Sequence, residues 1–175
     1  MRIFVRLKFS VRRTCQIARS AAARTLAGIR KRKVPVRSLI LLAFALTAQQ
    51  GNACTLNVTG VNFGNYDVFS NTALDSTGNI DVNCPSGIGY SMLLSTGGGT
   101  HMQRVMNSGA YTLNYNLYTA ANRAVIWGDA TGGTVKVNGS GIGVSVNHGV
   151  YGRIPALQNV HTGSYSDIIN VTLIF

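Results

Sequence analysis

Short runs that alternate apolar and polar residues, each closed by a cluster of glycine, asparagine or serine, fill residues 54–175. A period of two is the signature of half-buried strands, and no segment there has a helical period of 3.6. Leu56 and Val58 alternate with small polar neighbours, and Ile80, Val82 and Cys84 share one face. In 110–119, Tyr111, Leu113, Tyr115 and Leu117 fall on one face, with Thr112, Asn114, Asn116 and Tyr118 opposite. Residues 89–95 form a more continuous apolar run, and 125–127, 134–137, 142–146 and 150–154 are shorter strand candidates. The chain closes on 164–175, where Tyr165, Asp167, Ile169, Val171, Leu173 and Phe175 alternate with their neighbours. Turn-forming clusters separate the runs, among them Gly64-Asn65, Ser76-Thr77-Gly78, Pro85-Ser86-Gly87, Gly97-Gly98-Gly99 and Asn138-Gly139-Ser140-Gly141. Residues 54–175 hold no glutamate and one lysine, Lys136, two residue types that favour helices. Many short strands at this spacing predict an all-β antiparallel sandwich.

The front of the chain is of another kind. Residues 1–37 carry 12 of the 16 basic residues and no acidic one. The apolar run 38–46 follows, and then 47–53, which end on the small residues Gly51-Asn52-Ala53. A basic start, a short apolar stretch and small residues before a cut read as a secretory signal. The apolar run is shorter than the roughly 20 residues a membrane-spanning helix needs, so no stable membrane insertion is expected after cleavage. Cleavage is expected after Ala48 or Ala53, the second fitting the small-residue rule better. A lipoprotein-type cut before Cys54 would want a bulky aliphatic residue at position 51, where glycine stands. The basic stretch exceeds what a signal requires, which leaves room for a true start near Val34. The expected division is therefore a removed segment, 1–53, and one domain, 54–175.

Removal of the leader reverses the charge argument. The whole chain carries +11, but 54–175 hold Arg104, Arg123, Lys136 and Arg153 against five aspartates, a net charge of −1. A nucleic-acid binder needs a basic patch that displaces counterions, and the domain has none. Cys15 lies in the leader, so Cys54 and Cys84 remain. Two cysteines in an exported chain without metal-type spacing predict one disulfide, and closing a loop of this size is worth roughly 3–4 kcal/mol.

The residues offer little chemistry. His101, His148 and His161 lack metal-ligand spacing, so they read as surface or turn residues and no metal or other cofactor is expected. The five aspartates appear at turns or strand ends, which does not suggest the paired carboxylates of a glycosidase. Asp129 behind Trp127-Gly128 could place a carboxylate beside a stacked sugar, although a core tryptophan followed by a turn aspartate explains the same residues. No Gly-x-Ser-x-Gly elbow is present. Gly139-Ser140-Gly141-Ile142-Gly143 lacks the lysine and helix of a phosphate cradle. Three Asn-x-Ser/Thr triplets, at Asn57, Asn138 and Asn170, are expected by chance in so Asn- and Thr-rich a chain. Trp127, Met92 and Tyr90 are expected to be buried. The domain is not expected to be an enzyme.

An ordered series of motifs covers almost all of 54–175. It begins with Cys54-Thr55-Leu56-Asn57-Val58-Thr59-Gly60-Val61-Asn62-Phe63-Gly64-Asn65-Tyr66-Asp67 and Gly78-Asn79-Ile80-Asp81-Val82-Asn83-Cys84. Arg104-Val105-Met106 and Leu113-Asn114-Tyr115-Asn116-Leu117-Tyr118 follow. Val125-Ile126-Trp127-Gly128-Asp129, Val150-Tyr151-Gly152-Arg153-Ile154-Pro155 and Gly163-Ser164-Tyr165-Ser166-Asp167 complete it. In this order they resemble the spore coat protein U family, which includes subunits of Csu-type (archaic) chaperone-usher pili. The resemblance implies an incomplete immunoglobulin-like sandwich that passes through the periplasm to the cell surface. Its implied partners are a periplasmic chaperone, an outer-membrane usher and neighbouring subunits, one of which supplies the missing strand. Ile169, Val171, Leu173 and Phe175 are then the expected wall of the acceptor groove. A donor segment needs about ten alternating residues, roughly 33 Å of extended chain, and the expected cuts leave at most 49–53 before Cys54. The subunit is thus expected to accept a strand without donating one, as suits a tip or terminal position. Attachment and biofilm formation are the implied roles. Two other readings share the residues: a self-contained coat or matrix protein of the same fold, and a small secreted carbohydrate-binding protein or hydrolase.

Overall fold

A computed structural model describes residues 3–12 and 53–175 of the 175-residue chain. The apolar run 38–46, Cys15 and the cut expected after Ala48 lie outside the described residues. The strands are β1 (Ile3–Arg12), β2 (Thr55–Thr59), β3 (Val61–Gly64), β4 (Leu74–Asn83), β5 (Gly89–Leu94), β6 (Arg104–Ser108), β7 (Tyr111–Tyr118), β8 (Val137–Ser140), β9 (Ser145–Ile154) and β10 (Tyr165–Ile174). No helix occurs among the described residues.

Two sheets share β7. One runs β2-β4-β9-β7 and the other β7-β6-β10-β1-β3, with β5 on the C-terminal part of β10 and β8 outside β5. Every pairing between these strands is antiparallel except that of β1 with β10. The sandwich core is drawn from the inward positions of both sheets, among them Ile80, Val82, Met92, Leu113, Leu117, Trp127, Val150, Ile169 and Leu173, each with 0–1% of its surface exposed. This is an all-β, immunoglobulin-like sandwich.

β7 explains where simple alternation fails. Its first half pairs with β6, up to Tyr115 opposite Arg104, and its second half pairs with β9 from Asn116 onward. A strand that changes sheets turns successive residues inward, so Tyr115, Asn116 and Leu117 are all buried. The expected division of 110–119 into two opposite faces is therefore corrected: Asn116 is buried beside Tyr115 and Leu117, while Tyr111 is 48% exposed. Two turn assignments also change. Ser76-Thr77-Gly78 lies within β4, where a Cβ on Gly78 would stand 2.6 Å from the Thr59 carbonyl oxygen. Asn138-Gly139-Ser140 lies in β8. Residues 125–127 and 134–135 make only single bridges, Tyr118 with Ile126 and Trp127 with Val135.

Cys54 and Cys84 are joined, with Cα atoms 4.3 Å apart and a sequence separation of 30. The bond ties the start of β2 to the end of β4 at one pole of the sandwich. Hydrogen bonds from Gly143 N to the Cys84 carbonyl (3.1 Å) and from Gly87 N to the Gly141 carbonyl (2.9 Å) hold the neighbouring loops there.

Candidate strand-acceptor site

β10 has very different neighbours on its two sides. On the β5/β6 side, only Val171–Ile174 register with β5 and only Ser166 registers with β6. On the other side, β1 pairs with all ten residues of β10, from Ile3 opposite Tyr165 to Arg12 opposite Ile174. β1 in turn meets β3 through Ile3, Phe4 and Val5, with a register shift between the first two. β1 thus lies in a slot walled by β10 and β3.

The irregular flank of β10 is capped rather than paired. Ser95 supplies both caps for Asn170: its backbone N–H donates to the Asn170 carbonyl at 3.0 Å, and its Oγ accepts from Asn170 N at 2.9 Å. The Asp167 carboxylate accepts from Tyr115 Oη at 2.7 Å, Ile168 N at 2.7 Å and Gly98 N at 3.1 Å. Asp167 is buried within β10, which corrects its assignment to a turn or strand end. A buried carboxylate is tolerated there because three donors converge on it. Burial, reinforced by the adjacent Asp167 charge, pushes the Tyr115 phenol far above its usual range, so it stays a donor. Asp75 and Asp81 also lie inside a strand, β4.

Arg104 fills the core behind this flank with none of its surface exposed. Its NH1 donates to Asn116 Oδ1 at 2.6 Å, its NH2 to the Trp127 carbonyl at 2.7 Å, and Nε and NH2 both to the Ser95 carbonyl at 3.1 and 2.9 Å. The planar fork allows one side chain to gather three segments. Burial pulls the guanidinium below its ordinary value.

Of the residues expected to line the groove, Ile169, Val171 and Leu173 are fully buried in β10 with β1 in place, and Phe175 follows the strand, partly buried. Val61 and Phe63 of β3 are buried as well. β1 falls within the segment that the sequence marks as a leader. Its odd positions are Ile3, Val5, Leu7, Phe9 and Val11, an unbroken period of two that the density of arginine obscured. Ile3 is buried and Lys8 exposed.

The other chemically active residues are used structurally. His101 Nε2 donates to the Leu94 carbonyl at 3.0 Å, and its Nδ1 stands 3.5 Å from Asp129 Oδ1. Asp129 Oδ1 also accepts from Thr131 Oγ1 and Thr131 N, as in a closed turn; the hydroxyl bond in particular holds the carboxyl below its usual value. His148 belongs to β9 rather than a turn, and its Nε2 lies 2.8 Å from the hydroxyl of buried Tyr90. His161 stacks on Tyr111 with ring centroids 4.4 Å apart. Trp127 and Met92 are buried, and Trp127 Nε1 donates to the Met92 carbonyl at 3.2 Å. Among the described residues no three His, Cys, Asp or Glu side chains are placed to share a metal ion.

Comparison with known proteins agrees with this architecture. The curated "Protein U" of Myxococcus xanthus is 31% identical over 146 residues, covering 73% of this chain and 80% of that protein. A solved structure with a similar fold is the CsuC-CsuE chaperone-tip adhesion subunit pre-assembly complex from archaic chaperone-usher Csu pili of Acinetobacter baumannii. The matched chain is 21% identical, with a TM-score of 0.52 over 70% of this chain. This chain spans 39% of that neighbour's length, and the likeness is one of fold. The family model for the Spore Coat Protein U domain matches residues 40–172. The chain belongs to the Spore Coat Protein U domain family.

Proposed function

We propose that residues 54–175, freed of the leader, form a secreted structural subunit of a surface pilus assembled by a chaperone-usher route. One observation carries this reading: among the described residues, the only strand that pairs with β10 along its whole length belongs to the segment ahead of Cys54. Without β1, β10 presents one unpaired flank along its ten-residue length, and Ile169, Val171 and Leu173 lose a neighbour on that side. Such an edge recruits strands indiscriminately unless it is covered. An added strand supplies main-chain hydrogen bonds along the ladder, and its alternate side chains enter the gap between the sheets. In the proposed sequence a periplasmic chaperone fills the slot first, the outer-membrane usher receives the complex, and a neighbouring subunit then takes over. The fibre serves attachment and biofilm formation. With at most 49–53 ahead of Cys54 after cleavage, the subunit accepts a strand and gives none, which places it at a fibre end. The titratable groups described above brace loops and strands, as fits a structural protein without catalysis.

The family name, Spore Coat Protein U domain, favours a second reading, a self-contained coat or matrix protein. Purified 54–175 separates the two. A pilus subunit aggregates or melts broadly alone and gains a sharp, cooperative transition when a chaperone or an alternating apolar peptide is added. A monomer that melts cooperatively without either decides for the coat protein.

A further inference from the structure

We propose that Ile3–Arg12 is an intramolecular occupant of the acceptor slot, capping β10 in cis in any uncleaved chain whose leader and domain share one compartment. The proposal rests on the slot described above and adds its first occupant. β1 and β10 are both ten residues long and pair without a break. The apolar odd positions of β1 give it one face fit for a core, and Ile3 on that face is fully buried. Lys8, on the other face, is exposed. A slip of one residue would turn Lys8 inward, so the register is strongly specified.

The connection permits it. Arg12 registers with Ile174, which registers with Ser91 near the start of β5, and Thr55 registers with Asn83 beside Cys84. β1 therefore ends, and β2 begins, at the disulfide pole. The link from β1 to β2 therefore need not cross the sandwich, and 13–52 provide 40 residues for it. Linkage within one chain raises the effective concentration of a segment at its site, to the order of millimolar for short linkers. A strand from another chain must exceed that to enter. The uncleaved chain is thus closed and does not polymerise, and removal of the leader opens the slot.

The test uses the refolded full chain with the native disulfide formed and Cys15→Ser introduced. Lys8 and Asn170 are register partners and both exposed, so K8C/N170C should form a second, intramolecular disulfide on mild oxidation. The K8C/S166C control is displaced by four residues, roughly 13 Å along the strand, and should form at least tenfold less. Absence of that preference, or bridging only between chains, overturns the cis cap. A labelled peptide of residues 2–13 provides the second arm. Leu7→Pro/Lys8→Pro removes two adjacent N–H groups, one of which must face β10, so this chain should take up the peptide while the unmodified chain excludes it. Uptake by both keeps the slot and removes the cap; uptake by neither removes the slot itself.

Discussion

Replacing Arg104 by methionine tests how the irregular flank of β10 is built. Methionine fills much of the same volume without a donor. Asn116 Oδ1 would keep its bond from Leu117 N at 2.9 Å, whereas the Ser95 and Trp127 carbonyls would lose the donors they receive from Arg104. A buried polar group left without a partner costs about 1–3 kcal/mol. Two such groups give roughly 2–6 kcal/mol, reduced because a buried cation no longer has to be desolvated. The expected loss is about 3–4 kcal/mol, roughly 12–15 °C in Tm for a domain of this size. Thermal and urea unfolding of the full chain, followed by far-ultraviolet circular dichroism and Trp127 fluorescence, would measure it. Arg104→Lys should fall between, since an ammonium supplies donors from a point and not from a fork. A loss below about 1 kcal/mol for R104M, with an unchanged urea slope, would show that desolvation cancels the bonds and refute the reasoning.

Replacing Cys54 and Cys84 together by alanine should destabilise the fold by about 3.6 kcal/mol, from the chain-entropy cost of a 30-residue loop; unfolding in urea under oxidising conditions would read the difference. Gly97 has φ +65°, and a Cβ there would fall on the Asp167 carboxylate. Gly97→Ala should therefore cost at least about 2 kcal/mol, combining backbone strain with a displaced buried carboxylate; Gly133→Ala, with φ +81° in open space, carries the strain alone and should lose less in the same melt. Hydrogen bonding from Arg153, with the charges of Arg123 and Arg153 adding, holds the Asp75 carboxyl below its usual value. A depressed folded value makes its contribution present above the unfolded value of about 3.9 and lost as pH falls through the folded one. Stability should thus fall as pH drops below about 4, and Arg153→Leu should flatten that part of the curve.

The sequence displayed the strands whose alternation runs between two sheets of fixed identity. β10 and β2 follow the expected pattern, and the Cys54–Cys84 bridge joins the two cysteines left after the leader. The pattern misled where glycine serves a different purpose. Gly78 lies in mid-strand because the Thr59 backbone passes too close for a Cβ, and no local signal distinguishes that from a turn. β7 broke its alternation because Asn116 marks a change of sheet. Arg104 could not be recognised as a core residue, because its acceptors on Ser95, Asn116 and Trp127 lie 9 to 23 residues away in sequence. β1 carries its alternation in the sequence itself, at Ile3, Val5, Leu7, Phe9 and Val11. Its period of two was hidden by a composition that points equally well to a leader.

The two flanks of β10 are where the proposed need for an added strand has its physical origin. Between Ser95 and Gln103 the chain leaves the β5 line before it joins β6, and this excursion is fixed by Arg104 on one side and the Asp167 carboxylate on the other. β5 therefore reaches only the last part of β10, and β6 touches it at Ser166. The residues between, Asp167 to Asn170, are held by side-chain and loop caps, which satisfy hydrogen bonds but add no strand whose side chains could cover a neighbour. Cover for the apolar face of β10 must then come from the opposite side, where β3 is only four residues long and stands one strand away. A strand ten residues long fits that gap, and a strand in β1's position leaves the caps undisturbed. Whichever chain supplies it, the capped flank follows from the loop between β5 and β6, which makes that loop the part of the fold on which the proposed strand acceptance depends.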